Sequence, residues 1–244
     1  MKTLEHAKRE LVVANRILAR EGVTDAYGHV SARHPGRPDR FLLARSCSPA
    51  LVEVDDIMEF DLDGVSVEVD DRVPYLERFI HAALYESRPD VSVIAHSHAA
   101  DVLPYTVTST PLRPLIHSAG VIGHRIPCWD IRDRFDDTNM LVVDIRQGRD
   151  LARSLGSDRV ILMRGHGFSA VAQSMVELIR ICVYLRVNAA VLSQALALGE
   201  VTFLSEGEID SISRVDAHAP EVQRAWRYWA TRAGCEAMLE EGPA

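Results

Sequence analysis

The chain has 244 residues, of which 47% are hydrophobic and 25% are charged, a composition typical of a globular protein with a sizeable core. The formal net charge of −8 disfavours a nucleic-acid-binding groove, which needs a basic surface. No apolar run reaches the roughly eighteen residues that span a bilayer, and the charged first residues predict no secretory signal. The four cysteines are scattered without CxxC spacing, as in reduced proteins. We expect a cytoplasmic protein that binds neither nucleic acid nor membranes.

The spacing of apolar residues predicts alternating helices and strands in one α/β domain over residues 1–244. Helices are predicted over residues 3–21, 75–87, 144–155, 174–198 and 219–233. Strands are predicted directly after Gly28 and over residues 41–44, 91–96 and 159–163. Several strands follow one another through short turns, which favours a mixed or antiparallel sheet with helices on both faces. The polar residues 205–216 are the only candidate linker, and a C-terminal helical extension is expected from about residue 205.

Two histidines stand at the end of a predicted strand. His96 and His98 follow an apolar run, and residues two apart on a strand lie on the same side of the sheet. Two such imidazoles can bind one divalent metal ion, although most such pairs are ordinary polar strand ends. His166 is a third candidate ligand, because it lies between two glycines directly after the strand 159–163. Three histidines would leave open metal positions for water or substrate, as in catalytic sites.

Glu77 is the carboxylate that could reach such a site, because its predicted helix leads directly into the histidine strand. The pattern leaves three roles open for it. Glu77 is a fourth metal ligand, an acid/base group, or a surface residue paired with nearby arginines.

Four motifs in this order resemble the class II aldolase/adducin family over residues 5–200. They are Gly28-His29-Val30-Ser31, Glu77-Arg78-Phe79-Ile80-His81, His96-Ser97-His98 and Arg164-Gly165-His166-Gly167. The resemblance implies a three-layer α/β/α sandwich around a largely antiparallel central sheet. It also implies a homotetramer with active sites at subunit interfaces. By the same resemblance, the three histidines bind the metal and Glu77 is the acid/base group.

The chain departs from this family where its sugar-phosphate members bind phosphate. Those members use a Gly-Asn turn, a Thr-Pro-x-Gly-like loop and a Ser-Ser pair. The corresponding segments here are Gly28-His29, Arg45-Ser46-Cys47-Ser48-Pro49 and Tyr75-Leu76. The small hydroxyls and free amides that hold a phosphate are thus replaced by larger groups. An arginine fork and an aromatic wall instead suit a planar substrate that carries carboxylates.

The altered set resembles a narrower branch, the metal-dependent decarboxylases of hydroxylated aromatic dicarboxylates such as 3,4-dihydroxyphthalate or 3-hydroxy-2-methylpyridine-4,5-dicarboxylate. That branch implies one divalent ion per subunit, zinc or manganese, that holds a ring oxygen. Glu77, kept protonated near neutral pH by burial, would donate a proton to the carbon that loses CO2. His29 and Arg45 would hold the second carboxylate, with Ser46 beside them and Tyr75 against the ring.

Two further histidines are secondary candidates for substrate binding. His117 lies at a predicted strand end, and His218 lies near the C-terminus, from which family members send a residue into a neighbouring subunit's site. Tyr228 stays open on the same ground.

Two other functions compete with the decarboxylase. One is an aldolase acting on a non-phosphorylated hydroxy-keto acid or acid sugar, and the other is a non-catalytic adducin-like scaffold. The complete histidine set and Glu77 argue against the scaffold. The altered phosphate-binding segments argue against a sugar-phosphate aldolase, but they do not separate a decarboxylase from an unusual aldolase.

Overall fold

A seven-stranded sheet forms the centre of the fold in the computed structural model, which describes residues 3–69, 71–214 and 216–240. The strands are β1 (His29–Arg33), β2 (Arg40–Ala44), β3 (Ile57–Asp61), β4 (Val93–Ser97), β5 (Cys128–Trp129), β6 (Val160–Met163) and β7 (Gly167–Ala172). Their order is β3-β2-β1-β4-β7-β6-β5. Neighbouring strands are antiparallel except for the parallel pair β5–β6. The predicted largely antiparallel sheet is therefore confirmed.

Helices cover both faces of the sheet. They are α1 (Leu4–Arg20), α2 (Arg78–Ser87), α3 (Leu103–Thr106), α4 (Arg132–Phe135), α5 (Ile145–Leu155), α6 (Met175–Leu198), α7 (Glu206–Ser213), α8 (Pro220–Arg232) and α9 (Glu236–Glu240). Helices α1 and α6 pack together against β1, β4 and β7, and helices α2 and α5 pack together against β2, β5 and β6. This arrangement confirms the expected three-layer α/β/α sandwich.

Two long helices begin where a side chain caps the free backbone N–H groups. Thr3 accepts a hydrogen bond from the backbone N–H of His6, and Ser174 accepts one from that of Glu177. Among the described residues, α6 is the one helix long and apolar enough, by length and composition, to cross a membrane. It packs against β4, β7 and α1, and Arg186 on it forms an ion pair with Asp101 at 2.8 Å. These contacts are those of a core helix.

The structure corrects one predicted element boundary, next to Glu77. Helix α2 begins at Arg78 instead of residue 75, so Glu77 occupies the N-cap position and does not lie on the helix face. The backbone N–H of Val142 donates to the Glu77 carboxylate, which ties this position to a distant part of the chain.

The predicted linker is also wrong, because α7 lies within residues 205–216. Ser205 and Glu208 form a reciprocal capping box at its start, so these polar residues begin a helix. The side chain of Ile212 then packs against Gly120, which lies in the 3-10 helix His117–Ile122. Residue 215 lies outside the described residues.

Candidate metal centre and active site

Four side chains converge at one end of strand β4. One ligand atom from each of them lies within 4.8 Å of the others, and the four residues are Glu77, His96, His98 and His166. The Nε2 atoms of His96 and His98 are 3.0 Å apart. The Glu77 Oε2 atom lies 3.5 Å from His96 Nε2 and 3.4 Å from His166 Nε2. The three histidines and the glutamate predicted from sequence therefore share one site.

The sheet brings these residues together through three neighbouring segments. His96 is near the end of β4, His98 follows that strand, and Glu77 precedes α2. His166 lies in the short connection between β6 and β7, where Gly165 adopts a positive φ of 62°. A Cβ atom on Gly167 would lie 2.1 Å from the Ser97 carbonyl oxygen, so only glycine allows this connection to approach β4 so closely.

The outer nitrogen of each histidine faces a partner that sets its orientation. His98 Nδ1 lies 3.1 Å from a carboxylate oxygen of Asp25, and His166 Nδ1 lies 3.0 Å from the Met140 carbonyl oxygen. Both partners are acceptors, so each Nδ1 carries the proton and each Nε2 presents a lone pair to the cluster. His96 Nδ1 lies 3.3 Å from the Ser169 hydroxyl, which can donate or accept.

This donor set fits a divalent metal ion. Bonds of about 2.0–2.1 Å from zinc to imidazole nitrogen place the ligand atoms around a shared ion roughly 3 Å apart. Three of the pairwise distances, at 3.0–3.5 Å, agree with that spacing, and all of the ligand atoms lie within 4.8 Å of one another. Two buried lone pairs at such a distance repel each other unless a cation or a proton lies between them. Three imidazoles with one carboxylate suit zinc, and added oxygen ligands from a substrate would also suit manganese.

Glu77 is held at both of its oxygens. Its Oε1 accepts a hydrogen bond of 2.9 Å from the Val142 N–H, while Oε2 faces two of the histidines. Burial alone would raise the pKa of Glu77, but the facing His166 and His96 rings, where they carry a proton on Nε2, outweigh burial and lower the pKa of Glu77 well below its usual value. The protonated state expected from sequence is therefore not the one that these side chains favour.

His29 lies beside the cluster on the neighbouring strand. The antiparallel register pairs His29 with His96, and their ring centroids are 5.1 Å apart. The other side of His29 contacts the Tyr75 ring, with centroids 4.5 Å apart. The side chain is only 2% exposed, and its Nδ1 lies 2.7 Å from Nε2 of His81. The structure therefore places His29, an active-site residue predicted from sequence, next to the candidate metal centre and pairs it on its inner side with His81.

The remaining predicted substrate residues lie outside the four-residue cluster. Tyr75 is buried, and its hydroxyl donates to the Cys47 carbonyl oxygen. Arg45 is half-exposed on the same side, where its backbone pairs with Pro74 next to Tyr75 and its Nε donates to Asp56 at 2.6 Å. Ser46 is exposed at the surface. None of these three contacts the four-residue cluster among the described residues.

The two secondary histidines are not brought to the cluster within the described parts of one chain. His117 is exposed at the start of a 3-10 helix, and His218 is exposed just before α8. Tyr228 is 54% exposed and accepts a hydrogen bond from Arg232. A cavity of about 820 Å³ lies between α1 and the helices α8 and α9, and none of the four residues of the candidate metal centre lines it.

The sequence reasoning missed the outer partners Asp25, Met140 and Ser169. Met140 and Asp136 are the two described residues other than glycine with positive φ, and the φ of Met140 is 68°. That conformation directs the Met140 carbonyl to His166, and a backbone acceptor has no signature in the sequence. Asp25 stands three residues before Gly28 of the Gly28-His29 motif, and this closeness was its only available signal. Backbone N–H groups of Tyr27 and Gly28 and the His98 side chain outweigh the effect of burial and lower the pKa of Asp25.

Comparison with known proteins agrees with this geometry. Residues 9–192 match the family described as the class II aldolase and adducin N-terminal domain. Decarboxylase tropJ of Talaromyces stipitatus is 35% identical over 245 residues, which cover 91% of each chain. The 3,4-dihydroxyphthalate decarboxylase of Arthrobacter keyseri is 27% identical over 69% of this chain and 70% of its own.

Solved structures show the same fold. An aldolase II superfamily protein from Pseudomonas syringae superposes with a TM-score of 0.79 at 20% identity, covering 98% of this chain and 96% of the other. The decarboxylase and aldolase relatives indicate that this chain is a lyase, which argues against the scaffold alternative. Since the family match spans most of the chain and contains all four residues of the candidate metal centre, the protein belongs to the class II aldolase and adducin family.

Proposed function

We propose that the protein is a metal-dependent, non-oxidative decarboxylase of a hydroxylated aromatic carboxylate, of the kind exemplified by 3,4-dihydroxyphthalate or a hydroxypyridine dicarboxylate. The similarity to decarboxylase tropJ over nine-tenths of both chains carries the proposal. The local chemistry supports it, because His29 beside the candidate metal centre, with Tyr75 against His29, stands in place of the small donors that hold a sugar phosphate. The native metal is zinc or manganese in this proposal.

The three histidines would hold the metal through their Nε2 atoms. Asp25 and the Met140 carbonyl keep two of these nitrogens unprotonated, so the site is ready for a cation without rearrangement. The metal supplies a Lewis acid that stabilises negative charge on the ring oxygen next to the departing carboxylate. Glu77 would be displaced from the histidines by that ring oxygen, or would stay as a fourth ligand.

Glu77 would carry the proton of the reaction. As a carboxylate it accepts the proton of the ring hydroxyl, and then donates it to the ring carbon that bears the departing carboxylate. The C–C bond to that carboxylate breaks, CO2 leaves, and its electron pair restores the aromatic ring. The product oxygen finally takes up one proton from solvent. The Val142 N–H, bound to Oε1, leaves Oε2 as the oxygen that moves the proton.

The other residues would select the substrate. The planar ring would lie against Tyr75, and the His29 imidazole would bind an anionic oxygen on the neighbouring substituent. Arg45 would reach the outer carboxylate with the nitrogens that Asp56 does not hold, and Ser46 would line the entrance. His117, His218 and Tyr228 are exposed in one chain, which is consistent with a role in a neighbouring site of a cytoplasmic homotetramer.

The test is CO2 release by the purified protein, with its metal content measured by elemental analysis. The substrates are 3,4-dihydroxyphthalate and 3-hydroxy-2-methylpyridine-4,5-dicarboxylate, and a non-phosphorylated hydroxy-keto acid serves as the aldolase probe. We expect CO2 from an aromatic acid and no retro-aldol cleavage. Retro-aldol cleavage without CO2 from any ortho-hydroxy aromatic acid would refute the proposal.

Two variants separate the roles within the site. His96→Ala should lose the metal, because it removes the most buried of the three nitrogen ligands. Glu77→Gln should keep the metal and lose activity by about 10²–10⁴-fold, the usual contribution of an acid/base group. Loss of the metal from the Glu77→Gln variant would instead identify Glu77 as a ligand.

A further inference from the structure

A chain of buried polar side chains runs from His29 into the layer between the sheet and α2. His29 Nδ1 lies 2.7 Å from His81 Nε2, and His81 Nδ1 lies 2.6 Å from the Ser31 hydroxyl. The Ser31 hydroxyl lies 2.9 Å from the hydroxyl of Tyr85. All four side chains are at most 2% exposed, so their hydrogen bonds are made with one another and not with bulk water.

Tyr85, at the end of this series of side chains that is farthest from His29, sets the direction in which the hydrogen bonds are donated. The Tyr85 hydroxyl lies 3.5 Å from the Ser92 carbonyl oxygen, beyond the normal range for an O–H···O bond, and 2.9 Å from Ser31, within that range. The Ser92 carbonyl already accepts the backbone N–H of Arg33 at 2.7 Å. Tyr85 therefore donates to Ser31. The Ser31 hydroxyl then donates to His81 Nδ1, because a buried hydroxyl proton without an acceptor is costly.

The donor and acceptor nitrogens of His81 and His29 follow from this direction. Burial lowers the pKa of His81 to about 3, so its ring carries one proton near neutral pH. Since His81 Nδ1 accepts from Ser31, that proton lies on Nε2, which donates to His29 Nδ1. A His29 ring that accepts at Nδ1 must carry its own proton on Nε2. No described residue is hydrogen-bonded to this nitrogen, and it is not among the fully enclosed polar atoms without a partner.

We propose that Tyr85, Ser31 and His81 are positioning residues that keep Nδ1 of His29 as an acceptor and its proton on Nε2, ready to donate to an anionic oxygen of the substrate. The chain acts through His29, and none of its three outer members touches the candidate metal centre. The tautomer matters because the opposite one would present a lone pair to a carboxylate and repel it.

This inference rests on the proposed function only for the ligand that His29 meets. The proton positions themselves are a property of the folded protein without substrate. The test therefore has a structural part that does not need activity and a kinetic part that does.

The structural part is neutron diffraction from crystals of the metal-loaded protein grown in deuterated solvent, which locates deuterium on each ring nitrogen. We expect deuterium on Nε2 of both His29 and His81, and on the Ser31 oxygen directed to His81. Deuterium on Nδ1 of both rings would reverse the chain and overturn the inference. In Ser31→Ala, which breaks the chain with little change of shape, deuterium should be shared between the two nitrogens of His29. An unchanged tautomer in this variant would also overturn it.

The kinetic part compares Ser31→Ala and Tyr85→Phe with Tyr105→Phe. Tyr105 is a matched control, because it too is a buried tyrosine whose hydroxyl is hydrogen-bonded, in its case to Ser193 and the Ala189 carbonyl. We expect kcat/KM for CO2 release to fall about tenfold in Ser31→Ala and less in Tyr85→Phe, with metal content and the control unchanged. Wild-type kinetics in Ser31→Ala would refute the effect on the reaction. If the wild-type protein releases no CO2, the proposed function fails, but the deuterium positions still test the direction of the hydrogen bonds from Tyr85 to His29.

Discussion

Asp25→Asn isolates the contribution of the charge that orients His98. One oxygen of Asp25 lies 3.1 Å from His98 Nδ1 and also accepts the backbone N–H groups of Tyr27 and Gly28, at 2.9 Å and 3.1 Å. An asparagine oxygen can keep all three hydrogen bonds, so the loop should hold its shape. Only the negative charge behind the His98 ring is lost.

The expected effect is a 10–100-fold weaker metal affinity, the usual cost of losing an outer partner of a metal-bound histidine. That range corresponds to about 1.4–2.7 kcal/mol of binding free energy. Ser169→Ala should cost less, about 2–5-fold, because its hydrogen bond to His96 is uncharged and at 3.3 Å is longer.

The assay is a competition titration of zinc against a chelating dye at fixed pH, with thermal unfolding of each variant as the check on folding. Asp210→Asn is the control, because Asp210 also pairs with a histidine ring, His124, at 2.8 Å on the surface. Wild-type affinity in Asp25→Asn, or an equal loss in Asp210→Asn, would refute the assignment of His98 as an Asp25-oriented ligand.

Three further predictions test the surroundings of the site. Gly167→Ala should lose both the metal and several kcal/mol of stability, because its Cβ would lie 2.1 Å from the Ser97 carbonyl oxygen; Gly207→Ala, with no atom within 4 Å, should be tolerated in thermal unfolding. His81→Asn should weaken the pH dependence of stability. Burial lowers the pKa of His81 to about 3, so below about pH 6.5 this side chain takes up a proton in the unfolded chain but not in the folded one. The free energy of unfolding of the wild type should therefore fall by up to about 1.4 kcal/mol per pH unit more than that of the variant as the pH falls. Urea unfolding between pH 6.5 and 4 measures this difference. Met140→Gly should keep zinc affinity within about threefold in the same dye titration, because the contact to His166 is a carbonyl and a φ of 68° suits glycine; a larger loss would mean that the side chain matters.

The order of motifs along the chain was enough to predict the fold class and the four residues that converge. Two histidines that are two residues apart at a strand end lie on the same face of the sheet, because alternate side chains of a strand share a face. Glycines on both sides of His166 likewise predicted a close approach of chains. The structure shows what that approach requires, because Gly167 leaves no room for a Cβ against Ser97.

The state of Glu77 could not be predicted in the same way. Burial alone argued for a protonated carboxyl, but the decisive contacts come from residues far away in the chain. The Val142 N–H, which donates to the carboxylate, is 65 positions from Glu77. Burial raises the pKa of Glu77 and hydrogen bonding lowers it, so the direction of the net change is known only once the neighbouring residues are in place.

Residue types and short-range spacing by themselves determined which side chains can bind a metal, which phosphate-binding groups are missing, and that sheet and helices alternate. Only the tertiary structure decided which atoms face which. It assigned Asp25 and the Met140 carbonyl to the outer nitrogens of His98 and His166, and it linked His29 to His81. The physical reason is that hydrogen bonds between distant segments, many of them to backbone groups, depend on how the layers pack and leave no pattern in the local sequence.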